Sequence, residues 1–252
     1  SSGQRHTAAI KTDGTLWSWG YGQGGKLGNA LATTSASTPA TTFAGGTNWK
    51  LVSAGTDNTM AIKTDGTLWT WGYGSFGVLG NGTTTGNKST PITTFSGGTN
   101  WKLVNCGTSC AAAIKTDGTL WTWGYASGGR LGNGVISGSI STPITTFAGG
   151  TNWKQVSCGN GAMAAIKTDG TLWTWGFSGN GVIGNGDAAN NFSTPVTTFA
   201  GGNNWKQVCI SATQNYINAI KTDGTLWSWG RGDKGNLGNG TTAGSILSLI
   251  HI

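Results

Sequence analysis

Apolar and polar residues alternate along this chain in short runs, and the runs return in a fixed order. In the stretch Ala61–Gly107, "AIKT" leads through Asp65-Gly66 to "TLWTW", which places Leu68 on one side of an extended strand and Trp69 and Trp71 on the other. "PITTF" and "WKLV" follow, separated by a "GGTN" turn. Period-2 alternation over such runs predicts strands, and no segment carries a helical period. Asp-Gly between two strands is a hairpin signal. Pro91 is expected at the first position of its strand, where no ladder donor is lost.

The phrase AIKTDGTLW stands at 9–17, 61–69, 113–121, 165–173 and 219–227. Its lysines are 52 residues apart from Lys11 to Lys167, then 54 apart to Lys221. The two extra residues fall in Ser211–Asn218, which marks that segment as a loop. Units of about fifty residues with four strands each predict the blades of a β-propeller. A blade lies between neighbours, so both of its faces need apolar cover. The expectation is an all-β propeller over residues 1–246, with units starting near 9, 61, 113, 165 and 219.

Composition narrows the class. Charged residues make up only 9% of the 252, against 46 Gly and 14 Trp. Disorder needs high charge and few aromatics. No apolar run approaches a membrane span. The tryptophans are read as core, since a chain this rich in Gly has a large ordering entropy to overcome. A sugar-binding platform of Trp49, Trp101, Trp153 and Trp205 is the weaker reading. The net charge of +7 suggests nucleic acid. However, Lys11, Lys63, Lys115, Lys167 and Lys221 are each balanced by a turn aspartate, and Lys50, Lys102, Lys154 and Lys206 are spread one per repeat. Nucleic acid is therefore not the expected partner.

The run "GQRHTAAIKTDGTLWSWGYGQGGKLGNA" (Gly3–Ala30) resembles the regulator of chromosome condensation repeat family, in its G-x-x-H-T-x-A, D-G, W-x-W-G and G-x-L-G-x elements. All five copies carry most of them. The resemblance implies blades of a seven-bladed ring, of which about five are present. It also implies, as an alternative function, guanine-nucleotide exchange on a small GTPase or chromatin binding. The family's His occurs once, as His6; Asn58, Cys110, Ala162 and Tyr216 take its place in the other copies. The fifth unit is expected to lack its Pro strand and its Trp-Lys strand. The tail "LSLIHI" (Leu247–Ile252) matches no repeat and translates a sequencing-adapter sequence, so it is set aside as non-native, and the chain is expected to be a fragment.

Several motifs tempt and fail. "GYGQGGKL" has Leu27 where a P-loop needs Ser/Thr, and G-x-G-x-x-G here precedes a strand rather than a helix. "RGD" at Arg231–Asp233 lies in a loop that varies freely. Cys106 and Cys158 read as small core residues, and no C-x-x-C pair suggests zinc. No acid–base pair is expected to meet, so neither catalysis, metal nor cofactor is predicted.

Three loops vary while the strands do not: one after W-x-W-G, one after L-G-N, and one before the phrase. Loops on a rigid scaffold carry binding residues, and aromatic and Arg side chains anchor best. The candidate binding residues are Tyr21, Tyr73, Phe76, Tyr125, Arg130, Phe177 and Arg231. The expected function is a non-catalytic scaffold presenting these loops to an unknown protein or surface partner. A secreted enzyme inhibitor is the third alternative. The composition suits a bacterial or phage protein, with an extracellular or virion-surface place among the options.

Overall fold

The protein is described by a computed structural model covering residues 1–211, 213–242 and 244–251. It is all β apart from four single 3-10 turns. The first sheet has three strands, β1 (His6–Ile10), β2 (Leu16–Gly20) and β3 (Ala36–Thr41). Four four-stranded antiparallel sheets follow. They comprise β4 (Trp49–Ala54), β5 (Asn58–Lys63), β6 (Leu68–Gly72) and β7 (Lys88–Thr93); β8 (Trp101–Cys106), β9 (Cys110–Lys115), β10 (Leu120–Tyr125) and β11 (Ser139–Thr145); β12 (Trp153–Cys158), β13 (Ala162–Lys167), β14 (Leu172–Gly176) and β15 (Phe192–Thr197); and β16 (Trp205–Ile210), β17 (Tyr216–Lys221), β18 (Leu226–Arg231) and β19 (Ser245–His251).

Each sheet is a meander, but its boundary lies one strand away from the expected one. "WKLV" of Trp49–Val52 pairs with the phrase that follows it, Val52 opposite Ala61, and not with the strand before it. The tight connection at 55–57 makes this hairpin, while the longer "GGTN" segment carries the chain to the next sheet. Pro91 stands inside β7 rather than at its start. It falls where the pairing of β6 with β7 shifts register, between Thr70 and Gly72, on an edge strand where a missing N–H costs nothing. The fifth sheet does not lack its fourth strand. β19 pairs with β18, Trp227 opposite His251 and Gly230 opposite Ile246, in the register that Trp173–Thr197 and Gly176–Phe192 keep one sheet earlier. Ala212, Ala243 and Ile252 lie outside the described residues.

The inner strands β4, β8, β12 and β16 pack on one another, and β1, β5, β9 and β13 pack on the next inner strand. Ser53 Oγ accepts from the Cys106 amide at 3.0 Å, Asn105 from that of Cys158 at 2.7 Å and Ser157 from that of Ile210 at 3.0 Å. Gln4, Thr56, Thr108, Asn160 and Thr213, one per unit, line a common cavity. The sheets are therefore arranged about one axis.

The repeated phrase is explained by a relay. Asp65 accepts from the Thr67 amide at 2.9 Å and hydroxyl at 2.7 Å, and Thr67 Oγ1 accepts from Trp69 Nε1 at 2.9 Å. Gly66 has φ +80°, and a Cβ there would stand 2.0 Å from the Thr99 carbonyl, so both chirality and space demand Gly. Lys63 does not pair with the aspartate. Its ammonium lies over the rings of Trp49 and Trp69, at 4.8 and 4.5 Å, a cation–π arrangement that recurs at Lys115, Lys167 and Lys221.

The last Trp of the second to fifth W-x-W locks its sheet to the one before. Trp71, Trp123, Trp175 and Trp229 donate Nε1–H to the carbonyls of Lys26, Val78, Arg130 and Val182, at 2.8–3.1 Å. All four are fully buried. Trp49, Trp101, Trp153 and Trp205 are also buried, at most 2% exposed, and packed edge-on against their neighbours' indoles. This excludes them as a sugar platform; they are core, as burial of such rings demands. Cys106, Cys110 and Cys158 are buried too. Burial pushes the Cys106 thiol up to about 12 and that of Cys110 to about 11, which leaves them inert as nucleophiles.

Candidate functional site

The strands fix two ends. At one end lie the Asp-Gly turns and the connections that contain Gly-Gly. At the other, which we call the loop end, lie the tight inner connections and the long loops that follow W-x-W-G. Five of the seven candidate residues lie in these long loops, and the other two, Tyr125 and Arg231, end β10 and β18 where the third and fifth loops begin.

Each of the first four long loops opens on an aromatic residue and makes a 3-10 turn, at Gln23–Gly25, Ser75–Gly77, Ser127–Gly129 and Gly179–Gly181. The middle residue of each turn is left-handed: Gly24 at φ +79°, Phe76 at +61°, Gly128 at +72° and Asn180 at +64°. Gly and Asn suit that region; a bulky residue there is an outlier. Phe76 holds it while 44% exposed. Its ring packs against Tyr125 of the next unit, centroids 4.7 Å apart and planes tilted by 41°. Arg130 covers Tyr125 at 4.9 Å and is held by the carbonyls of Ser127 and Asn160, both at 2.8 Å. Three candidates thus form one stack, Phe76–Tyr125–Arg130, bridging units two to four.

Tyr21 and Tyr73 are brought together differently, as two walls of a polar cleft. Lys26, 2% exposed, forms an ion pair there with Asp57, 31 positions away. Phe177 is half exposed and lies alongside the Gly128 turn, 3.7 Å from where a Cβ of that glycine would be. Arg231 stands apart. It makes a bidentate pair with Asp233, at 2.9 and 2.7 Å, so the charges of the "RGD" tripeptide satisfy each other.

Below the cleft, His6 is buried. Thr59 Oγ1 donates to the Lys26 carbonyl at 2.9 Å, so it must accept from His6 Nε2–H at 2.8 Å. Nδ1 is then the unprotonated nitrogen, and it has no hydrogen-bond partner. Burial first, then the Lys26 charge, lowers the imidazole pKa from 6.5 to about 4, against a smaller opposing effect of Asp57.

A second aromatic set escaped the sequence reading. Phe43, Phe95, Phe147 and Phe199 occupy one register and are 69–76% exposed. They are invariant among the copies, so a search restricted to varying loops passes over them. The signal was present: just past the end of β7 the alternation of its last residues continues, Thr93 exposed, Thr94 buried and Phe95 exposed.

Stacked antiparallel sheets about one axis, with variable loops gathered at one end, define a β-propeller. The chain belongs to the regulator of chromosome condensation (RCC1) repeat family, whose profile matches residues 13–62, 65–114, 117–166 and 223–248. A second profile of the same repeat matches 49–78 and 153–182. The chain is similar to the Ultraviolet-B receptor UVR8 of Arabidopsis thaliana, 29% identical over 94% of this chain and 54% of the relative. It is 30% identical to the E3 ubiquitin-protein ligase HERC2 of Homo sapiens over 96% of this chain. It thus spans about half of the first relative and 5% of the second. Among solved structures, human WBSCR16 superposes with a TM-score of 0.84 at 20% identity, covering 99% of this chain and 65% of that one. Prp20p from Saccharomyces cerevisiae, reported with its binding to Gsp1p and histones, gives 0.84 at 17%, covering 98% and 61%. These likenesses establish the fold.

Proposed function

We propose that this propeller is a non-catalytic scaffold whose loop end binds a protein or surface partner, with the Phe76–Tyr125–Arg130 stack at its centre. The observation that carries this reading is Phe76. A left-handed Phe costs on the order of 1–3 kcal/mol, and such strain clusters at binding and switch sites. The equivalent turns use Gly or Asn, so the fold itself does not require the ring. Exposed aromatic and Arg side chains held rigidly by neighbours are the usual anchors of an interface. A phage-displayed random peptide library selected on this protein tests the reading. Enriched peptides are expected to bind, and to lose at least about tenfold in affinity on Tyr125→Ala. Binders indifferent to Tyr125→Ala, or no enrichment, contradict it.

The likeness to Prp20p supports a second reading, a guanine-nucleotide exchange factor or chromatin binder. Faster nucleotide release from Gsp1p on adding this protein would favour it, and an unchanged rate would leave the scaffold reading.

A further inference from the structure

We propose that the cleft between the first and second long loops is a binding site for a neutral saccharide. The argument begins with a comparison inside the chain. At the junction of units two and three, the Phe76 ring packs against that of Tyr125, tilted by 41° with centroids 4.7 Å apart. One junction earlier the same turn position is Gly24, and the place where its Cβ would be lies 3.7 Å from the Tyr73 ring. Tyr73 is 46% exposed. A cavity of about 270 Å³ opens there, lined also by Tyr21, Gln23, Lys26, Asp57 and Asn87.

The polar groups around it are of both kinds and their charges cancel. The Lys26 ammonium is buried and already paired with the Asp57 carboxylate, whose side chain remains 47% exposed. Asn87 Oδ1 accepts from the Gly74 amide at 3.1 Å. Its Nδ2 lies 3.8 Å from the Gly24 Cβ position, at the edge of the cavity, as a free donor. Gln23 meets the Tyr21 hydroxyl and retains its own amide N–H groups.

An anionic ligand would have to break the Lys26–Asp57 pair, leaving a carboxylate without its partner. A cationic one would face Lys26 and Arg5, which already lie 5.1 and 5.6 Å from the Tyr21 ring. A neutral polyhydroxylated ring meets neither penalty. Its C–H face packs on Tyr73. Its neighbouring hydroxyls donate to Asp57, a charge-assisted bond, and accept from Asn87 and Gln23. A few placed polar groups beside aromatic walls are the ordinary composition of a small-ligand site. At the next three junctions Val78, Arg130 and Val182 stand in the place of Lys26, and Ser109, Gly161 and Asn215 in that of Asp57, so none repeats the ion pair.

This deepens the proposed function and rests on it in taking the loop end as a binding face. The test is calorimetric titration of the full chain with cellohexaose, chitohexaose and mannohexaose. At least one is expected to bind. Tyr73→Ala, and Gly24→Phe, which copies Phe76 into the cleft, are each expected to weaken it at least about tenfold. Phe76→Gly should leave sugar binding unchanged while it disturbs peptide binding, which separates the two readings. No binding by any of the three sugars, or binding that survives Tyr73→Ala in the folded protein, overturns the proposal.

Discussion

Replacing Trp123 by alanine lowers the melting temperature by roughly 6–20 °C, the largest effect expected of any single change. The ring is fully buried between two units. Truncating a core Trp costs about 3–5 kcal/mol, and a domain of this size shifts about 2–4 °C per kcal/mol. The loss has a second part. Val78 C=O, which accepts from the indole at 2.8 Å, is left without a donor in the interior. The neighbouring Gly80 fits the ring closely; its Cβ would stand 2.8 Å from Nε1, so the site is shaped around the indole. Trp121, half-buried and bonded only within its own unit, to Thr119 at 2.8 Å, should cost clearly less when truncated. Calorimetric melts of Trp123→Ala and Trp121→Ala decide the matter, and equal losses would show that the inter-unit lock does not set stability.

The second large effect is a loss of stability on mild acidification, traced to His6. In the unfolded chain its imidazole takes up a proton near pH 6.5. In the folded chain it resists until about pH 4. Between these values the unfolded state binds more protons, so stability falls as pH falls. The full loss is about 3 kcal/mol, complete near pH 4. Protonation would place an N–H on buried Nδ1, which has no acceptor. The turn aspartates do not confuse the window. Hydrogen bonds from Thr15, Thr67, Thr119, Thr171 and Thr225 hold Asp13, Asp65, Asp117, Asp169 and Asp223 below the ordinary 3.8, so their destabilising protonation comes at lower pH. His6→Asn, which copies Asn58 of the second unit, should flatten the stability profile between pH 4 and 6.5. Denaturant melts across that range check it, and an unchanged slope would assign the effect to another group.

The repeated architecture was legible because hydrophobic alternation and Asp-Gly turns are local signals. Assigning "WKLV" to a sheet was not, since alternation identifies a strand without naming its partner. That choice lies in connection length, three residues at 55–57 against a longer crossing. The candidate loop residues could be named because Tyr21, Tyr73, Phe76 and Phe177 are aromatic in otherwise small, polar loops. What they do could not be read from composition. The strain at Phe76 appears only when four turns are compared at one φ. Asp57 meets Lys26 because the fold brings together positions distant in sequence. The open face of Tyr73 depends on a side chain that Gly24 does not have. Invariant Phe43, Phe95, Phe147 and Phe199 were hidden by their apolar character, which suggests core until their place in the turns just past the strands is known.

The central claim is that Phe76 is kept for contact and not for the fold. Phe76→Gly relieves about 1–2 kcal/mol of left-handed strain and forfeits about 0.5–1.5 kcal/mol of stacking on Tyr125. Measured together, the melting temperature and the affinity for a library-selected peptide test the claim most directly. The account predicts a melting temperature no lower than that of the parent protein with affinity down at least about tenfold; a melt several degrees lower with peptide binding intact would contradict it.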